Sequence, residues 1–442
     1  MKRQFSCVAT AAPFLLGVIS LLALVGCGGS NSSAAKTTVV SNTVTLTASS
    51  GPTGGIVNGL YVTVTVCQHG TATCATIKNV QVDTFSIGLR IVQGTLGSVT
   101  LTPINVNGSP LEECTQYGDT SYSWGPLEFA DVQIGGETAS NIPVQLLGQV
   151  SAPPPSNCLT TPVSPNVPNG GNEDTVASLG ANGILGIGGF IFNCGNSCTT
   201  VSFTAGYPYY ICPSGTCQAV GVPTADQAVN PVSQFTGSDN NGVMITLPSV
   251  PSSGAVSLSG TMNFGIATQT DNALGSAIVY ALDACGNFPR VNFGGNSYTD
   301  TQCTNNTGGL GGFLDTGSNA LFVSDANTLK SFGISDCPSN TRASGFYCVT
   351  GGMTTLSNVN LVGFGGVGSA TISLNINDAT TLLSTNNAVF NDLGSDSIPG
   401  GNPSTDFWDL GLPFFLGRTV FVGIAGTAMP AGVNAPNGFV AF

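Results

Sequence analysis

The chain has 442 residues, which is enough for two lobes with a sizeable apolar core. Charged residues make up only 7% of it and apolar residues 41%, so we expect a folded protein without long charged helices. The net charge of −13, with nine basic residues, argues against binding to nucleic acid or electrostatic binding to anionic lipid. Short apolar runs broken by Gly, Asn and Pro predict an all-β or mainly β protein.

The N-terminus has the features of an export signal. Two basic residues precede an apolar run over residues 11–25, and Cys27 follows a small residue. We interpret residues 1–26 as a signal peptide that is removed on export. The apolar run is too short for a lasting transmembrane span. Residues 27–56 are rich in Ser, Thr, Ala and Gly, which predicts a flexible tether between the membrane and the folded part.

The sequence Leu-Val-Gly-Cys at 24–27 resembles the bacterial lipobox. The resemblance implies that Cys27 is lipidated and that the exported protein is held at the cell envelope by a lipid anchor, its one contact with the membrane. Gly28 stands where an Asp is associated with inner-membrane retention, so we expect the outer membrane or the cell surface. An ordinary signal peptide with a chance Cys is the alternative.

The cysteine count agrees with export. Of fourteen cysteines, twelve remain when Cys7 in the signal and Cys27 are set aside, and an even number in an exported chain indicates disulfide bonds. Zinc is the rival interpretation, but the chain has one His and no cysteine pair with the spacing of a zinc ribbon or finger. We therefore expect no metal and no cofactor. The disulfide candidates are near neighbours in the sequence: Cys67 and Cys74, Cys114 and Cys158, Cys194 and Cys198, Cys212 and Cys217, Cys285 and Cys303, and Cys337 and Cys348.

An Asp-containing turn lies in each half of the chain. In the second half, one apolar strand enters the Asp-Thr-Gly-Ser sequence at 315–318 and another leaves it. The first half carries Asp-Thr-Phe-Ser at 83–86 in the same setting. An apolar-apolar-Gly sequence follows each turn, ending 103 residues after the first Asp at Gly186 and 102 residues after the second at Gly417. The matched spacing predicts an internal repeat.

These residues resemble the pepsin-like aspartic peptidases from residue 59 to the C-terminus. The resemblance implies a bilobal all-β fold with two pseudo-symmetric β lobes and a central cleft. It implies that Asp83 and Asp315, one from each lobe, are the catalytic pair, and that Tyr117 lies on a hairpin flap over the cleft. The other cleft and turn residues that it implies are Thr84, Phe85, Ser86, Thr316, Gly317 and Ser318. The chain is also similar to a group of exported bacterial proteins that lack an assigned function.

Composition and the resemblance together divide the exported chain into three parts after the tether. We expect an N-terminal β lobe over residues 57–221, an inter-lobe connection over 222–258 and a C-terminal β lobe over 259–442. Two carboxylates that meet between such lobes share a proton, because both cannot ionise cheaply at short distance. One then acts as a base on a water molecule and the other as an acid toward a peptide carbonyl. The sequence thus predicts a monomeric aspartic endopeptidase that acts on peptide or protein substrates.

Two positions depart from the family. Phe85 stands where the family has Gly, and its ring either points into the cleft, where it blocks water or substrate, or turns into the core. Arg90 stands where the family has an aromatic residue, and it either pairs with Asp83 or reaches Tyr117 or solvent. A catalytically inactive scaffold that binds peptide or protein ligands is therefore the alternative function. A surface structural or adhesive protein is a third, which does not account for the paired Asp turns.

Overall fold

The computed structural model describes residues 41–149, 152–159, 171–201, 207–301, 303, 309–396 and 407–442. The predicted signal peptide and Cys27 lie outside these ranges. No helix among the described residues is both long enough and apolar enough to cross a bilayer. Among the described residues, short strands greatly outnumber helical residues, as the scarcity of charged residues leads one to expect.

The first half of the chain is built from strands whose buried and exposed positions mostly alternate. In β2, for example, Val62, Val64 and Val66 are buried while Thr63 is exposed, which fits the period of two of a β-strand. The strands of this half are β1 (Thr43–Ser49), β2 (Gly59–Gln68), β3 (Cys74–Asp83), β4 (Ile87–Val92), β5 (Thr102–Pro103), β6 (Asn105–Val106), β7 (Ser109–Gln116), β8 (Ser121–Ile134), β9 (Glu137–Leu147), β10 (Gly171–Asn172), β11 (Gly183–Ile187), β12 (Tyr209–Ile211) and β13 (Gln218–Ala219).

The second half continues in the same way with short strands. They are β14 (Gly242–Thr246), β15 (Leu258–Phe264), β16 (Val279–Ala281), β17 (Arg290–Phe293), β18 (Asn296–Thr299), β19 (Gly311–Leu314), β20 (Leu321–Val323), β21 (Ile334–Asp336), β22 (Tyr347–Val349), β23 (Met353–Val362), β24 (Ser369–Asn377), β25 (Gly394–Ser395), β26 (Phe407–Leu410), β27 (Thr419–Gly423) and β28 (Phe439–Ala441).

Helices among the described residues are single turns or little more. Thr175, Asp325 and Asp378 cap three of them by accepting a hydrogen bond from a backbone N–H of the first turn. The α-helices are Val176–Leu179, Ala326–Lys330, Ala379–Leu382 and Leu412–Phe415, and the 3₁₀ turns are Gln93–Leu96, Gly195–Cys198, Pro213–Gly215, Thr224–Asp226, Pro231–Gln234 and Phe364–Gly366.

A central antiparallel sheet links the two halves. Its strands run in the order β2-β1-β15-β14-β27-β28-β16, so it combines strands from the start, the middle and the end of the chain. Buried apolar side chains of β14 and β27, such as Val243 and Val422, belong to the main hydrophobic core. Both halves therefore depend on the same sheet, although their sequences are far apart.

Strand β1 corrects the predicted tether. Residues 27–56 were expected to be flexible, but residues 43–49 form an ordered strand that pairs with β2 and β15. The sequence Thr-Val-Thr-Leu-Thr-Ala-Ser alternates, and this alternation buries Leu46 and Ala48 completely. The abundance of Ser and Thr in this segment obscured that alternation.

Each half repeats one arrangement of four strands. In the first, β11 runs parallel to β3 and antiparallel to β4, and β4 runs parallel to β9. In the second, β26 runs parallel to β19 and antiparallel to β20, and β20 runs parallel to β25. The order β3-β11-β4-β9 thus matches β19-β26-β20-β25. The predicted fold class, an all-β bilobal pepsin-like fold with two pseudo-symmetric lobes, is confirmed.

The prediction that Gly417 ends the apolar-apolar-Gly sequence of the second half is wrong. Gly186 lies beside Asp83 and so close to the backbone of Ser86 and Ile87 that a Cβ atom would meet it at 2.8 Å. Gly411 takes this place in the second half, because the strand beside β19 ends at Leu410 and a Cβ on Gly411 would meet the Ser318 carbonyl oxygen at 2.6 Å. A Cβ on Gly417 would meet Ser249 instead.

The disulfide prediction is confirmed for all six candidate pairs. None of these bonds spans more than 44 residues, and each joins cysteines within one half of the chain. The longest loop, closed by Cys114 and Cys158, stabilises the fold by about 4 kcal/mol if loop entropy is the main contribution. This disulfide is also buried in a small cluster with Trp124 and Tyr210.

Candidate active site

The first turn holds the Asp83 carboxylate with three donors. Strand β3 ends at Asp83, and the chain then turns back into β4. The Oδ1 atom accepts the backbone N–H groups of Phe85 and Ser86 at 2.8 and 2.9 Å, and Oδ2 accepts the Ser86 hydroxyl group at 2.6 Å. Donors aimed at an ionised carboxylate form short, strong hydrogen bonds. The turn therefore supplies hydrogen-bond donors to both oxygen atoms of Asp83.

The second turn repeats this arrangement around Asp315. Its Oδ1 atom accepts the Gly317 N–H at 2.7 Å, and its Oδ2 atom accepts the Ser318 hydroxyl group at 2.8 Å. Each Asp is thus held by the backbone two residues later and by the serine three residues later. The turn residues predicted from the sequence adopt equivalent positions in the two halves.

Threonine side chains connect the two turns. The Thr84 hydroxyl group donates to the Leu314 carbonyl oxygen at 3.1 Å and accepts the Thr316 N–H at 3.0 Å. The Thr316 hydroxyl group donates to the Val82 carbonyl oxygen at 2.7 Å. Both threonines are buried, so these bonds are shielded from water. Gln81, which the sequence did not single out, adds a fourth bond by donating to the Gly317 carbonyl oxygen at 3.0 Å.

The two carboxyl groups both lie close to Gly317. A Cβ atom built on Gly317 would be 3.2 Å from Asp83 Oδ2 and 3.0 Å from Asp315 Oδ1, so these two oxygen atoms are separated by no more than the sum of those distances. The same Cβ would be only 2.9 Å from Asp83 Cγ. Position 317 therefore has to be Gly if the two carboxyl groups are to meet.

The electrostatics of the site favour a proton on Asp315. Burial raises the pKa of Asp315 well above its ordinary value, and the nearby Asp83 and Asp409 carboxylates raise it further. The hydrogen bonds from Ser318 and Gly317 act in the opposite direction but do not offset this. Asp315 thus keeps a proton at a pH at which an exposed Asp has lost it, as expected when two carboxyl groups share one site.

The Phe85 ring lies neither in the core nor free in solvent. Its side chain is 40% exposed and stacks on Phe313 of the opposite half, with ring centroids 4.2 Å apart and an interplanar angle of 15°. Phe313 in turn stacks on Phe407. The backbone N–H of Phe85 still donates to Asp83. A Phe in place of the family's Gly therefore preserves this hydrogen bond and adds an aromatic surface beside the carboxyl pair.

Arg90 pairs with a carboxylate that the sequence analysis did not consider. Its guanidinium group is buried, lies 3.5 Å from Glu113 Oε1, and donates to Thr115 and to the Ile87 carbonyl oxygen. Glu113 and Thr115 belong to β7. Arg90 therefore ties the Asp83 turn to the β7–β8 hairpin.

The predicted flap is a hairpin of β7 and β8. Tyr117 begins its turn, and its hydroxyl group is 2.7 Å from Ser123 Oγ. Burial raises the pKa of Tyr117 to about 12, and the Asp83 carboxylate adds to this while Arg90 opposes it. The role of Tyr117 over a cleft stays a prediction.

Potential metal ligands converge at one place among the described residues. Asp283, Cys285 and Cys303 lie close together, but the two cysteines form a disulfide and so offer no thiolate.

The site is thus a pair of Asp turns from two repeated β halves, locked together by threonines. The chain belongs to the family described as protein of unknown function (DUF3443), which matches residues 38–442. A comparison with curated proteins finds no match. Among solved structures, the chain is similar to the crystal structure of aspartic proteinase from Irpex lacteus, with 16% sequence identity, 90% of this chain and 96% of that chain covered, and a TM-score of 0.43.

We predict that Thr84→Val destabilises the protein although it preserves the shape of the side chain. The Leu314 carbonyl oxygen and the Thr316 N–H would each lose a buried partner, and each loss costs about 1–3 kcal/mol. We expect urea denaturation to show a free energy of unfolding lowered by about 2–4 kcal/mol. Thr65→Val is the control, because the bond of Thr65 to Thr76 is exposed to water. Equal effects of the two variants would contradict the locking role of Thr84.

Proposed function

We propose that the protein is an aspartic endopeptidase in which Asp83 and Asp315 activate a water molecule. The observation that carries the proposal is the convergence on Gly317 of two carboxyl groups from equivalent turns, each with a similar set of donors. Such a pair needs neither a metal nor a nucleophilic side chain. Thr84 and Thr316 hold the two carboxyl groups at a fixed separation.

The two carboxyl groups take different roles. Asp83 has three donors around its oxygen atoms and acts as the base that takes a proton from water. Asp315 retains the proton and donates it toward the oxygen of the scissile carbonyl group. In the second half of the reaction Asp83 passes the proton of the water to the leaving amine and the C–N bond breaks. A hydroxyl group of the tetrahedral intermediate returns a proton to Asp315 as the carboxylic acid product forms. Tyr117, on the hairpin near Asp83, closes the site over an extended peptide.

We predict that Asp315→Asn lowers the rate of hydrolysis of an unfolded protein on the order of 10³-fold or more, because the pair loses its acid. Wild-type activity should fall as the pH rises through the raised pKa of Asp315, since the pair then loses its shared proton. The assay measures peptide release between about pH 3 and 7, with pepstatin as an inhibitor. Asp336→Asn is the control, because Asp336 is exposed on β21. Wild-type protein without activity throughout this range would contradict the proposal.

A peptide-binding scaffold without catalysis is the second candidate, and the exposed Phe85 ring is the observation that favours it. An aromatic surface beside the carboxyl pair suits an apolar side chain of a bound peptide. It also occupies space that a Gly at this position leaves open. The stacking on Phe313 draws the ring toward the second half, and for this reason we rank catalysis first.

We predict that Phe85→Gly raises KM about fivefold for peptides with an aromatic side chain and changes kcat less than about threefold, because an aromatic contact contributes about 1 kcal/mol. Steady-state kinetics on a peptide series with and without an aromatic residue would measure this. Hydrolysis that appears only in Phe85→Gly, with binding retained in the wild type, would show that the native chain is a binding scaffold.

We also propose that the protein acts as a monomer outside the cytoplasm, anchored through lipid on Cys27 at the outer membrane or the cell surface. The six disulfides support an oxidising compartment. The lipobox-like sequence at 24–27 supports the anchor.

We predict that Cys27→Ala abolishes incorporation of a labelled fatty acid and moves the protein from the membrane fraction to the soluble fraction. Expression of the full chain in a Gram-negative bacterium, followed by fractionation, would measure both effects. Cys7→Ala, within the segment predicted to be removed, should change neither. Retention of the label in Cys27→Ala would contradict the proposed anchor.

A further inference from the structure

A third carboxyl group, that of Asp409, lies beside the carboxyl pair. It belongs to β26, between Phe313 of β19 and Phe322 of β20. Asp409 precedes Gly411 by two residues, as Ile184 precedes Gly186 in the first half. The two halves therefore differ at one buried position of their shared strand arrangement, where an apolar side chain is replaced by an acid.

The surroundings of Asp409 give its charge almost no compensation. The side chain is fully buried, and among the described residues neither of its oxygen atoms has a hydrogen-bond partner of normal geometry. The flanking strands, Gly-Gly-Phe-Leu and Leu-Phe-Val, carry no titratable side chain. The polar groups that act on it are the Ser318 hydroxyl group and the Asp83 and Asp315 carboxyl groups. Burial raises the pKa of Asp409 well above its ordinary value, Ser318 lowers it and Asp83 raises it.

Ser318 connects Asp409 to the pair. Its hydroxyl group donates to Asp315 Oδ2 at 2.8 Å and also lies beside Asp409. A hydroxyl group can accept from one carboxyl group while it donates to another. Negative charge on either Asp409 or Asp315 is therefore felt by the other.

We propose that Asp409 is a positioning residue for the shared proton: linked to Asp315 through Ser318, it takes up negative charge in place of Asp315. Asp315 then remains the acid and Asp83 the base. This inference rests on the proposed function of the pair. The first half has Ile184 at the equivalent position, so Asp83 has no such neighbour, and the arrangement is one-sided.

A purely structural role does not explain Asp409. An unpaired carboxyl group in an apolar setting costs free energy, whereas an apolar side chain of similar size would fill the same space without that cost. Ile184 shows that this position of the repeat accommodates an apolar residue. The acid is therefore accounted for by its effect on the neighbouring carboxyl groups.

The test is the pH dependence of hydrolysis by Asp409→Asn, which keeps the shape and removes the charge. The amide side chain introduced at position 409 cannot lose a proton in place of Asp315. We expect the apparent pKa of the basic limb to fall by about one unit, as for the loss of a nearby like charge. KM should change less than about twofold, because Asp409 is not exposed to a substrate. The control is Asp392→Asn, since Asp392 is also buried but bonds to Asn377 rather than to the pair.

An unchanged basic limb in folded Asp409→Asn would overturn the inference, as would the same shift in Asp392→Asn. If Asp409→Asn does not fold, Asp409→Ile replaces it, with the same shift and a higher melting temperature expected. If the wild type does not hydrolyse any peptide, the proposed function fails but the inference is still tested. Carbon-13 NMR of labelled Asp carboxyl groups, assigned with Asp315→Asn, should show a lower pKa of Asp315 in Asp409→Asn, and an unchanged pKa would overturn it.

Discussion

The hydrogen bonds between Thr84 and the 314–316 segment, together with the bond from Thr316 to Val82, are the constraint on which the site depends. They join two turns that are more than 200 residues apart in the sequence, and they do so through side chains that are completely shielded from water. They hold the Asp83 and Asp315 turns against each other although the two carboxyl groups lie close together. Burial there raises the pKa of Asp315, and the neighbouring Asp83 and Asp409 carboxylates raise it further.

The close approach of the two carboxyl groups limits which residues the two Asp turns can contain. Gly317 has a carboxyl group where its side chain would be, and so it cannot be replaced without displacing Asp83. Residue 85 is different, because it carries a side chain whose ring stacks on Phe313 of the opposite half. The two turns are thus related by approximate symmetry, but only one of them requires a glycine. Asp409 and Ile184 add a second difference between the halves.

Much of this could be predicted from the sequence, because the signals were local. The Asp turns, the six cysteine pairs and the abundance of short strands all follow from neighbouring residues. Gly411 was missed because Asp409 interrupts the apolar run that marks this step, while the apolar residues before Gly417 imitate it. Strand β1 was missed because its threonines resemble a linker. The direction of the Phe85 ring and the partner of Arg90 depend on residues brought near by folding, and no local pattern encodes them.

The disulfides have a consequence for biogenesis. Because each closes a loop within one half, the disulfides of the first half can form before the second half has been made. The central sheet, by contrast, is complete only when β27 and β28 arrive at the very end of the chain. A chain that lacked its last residues would therefore carry correctly bridged loops but an unfinished junction between its halves, so the junction can form only after synthesis has reached the end of the chain.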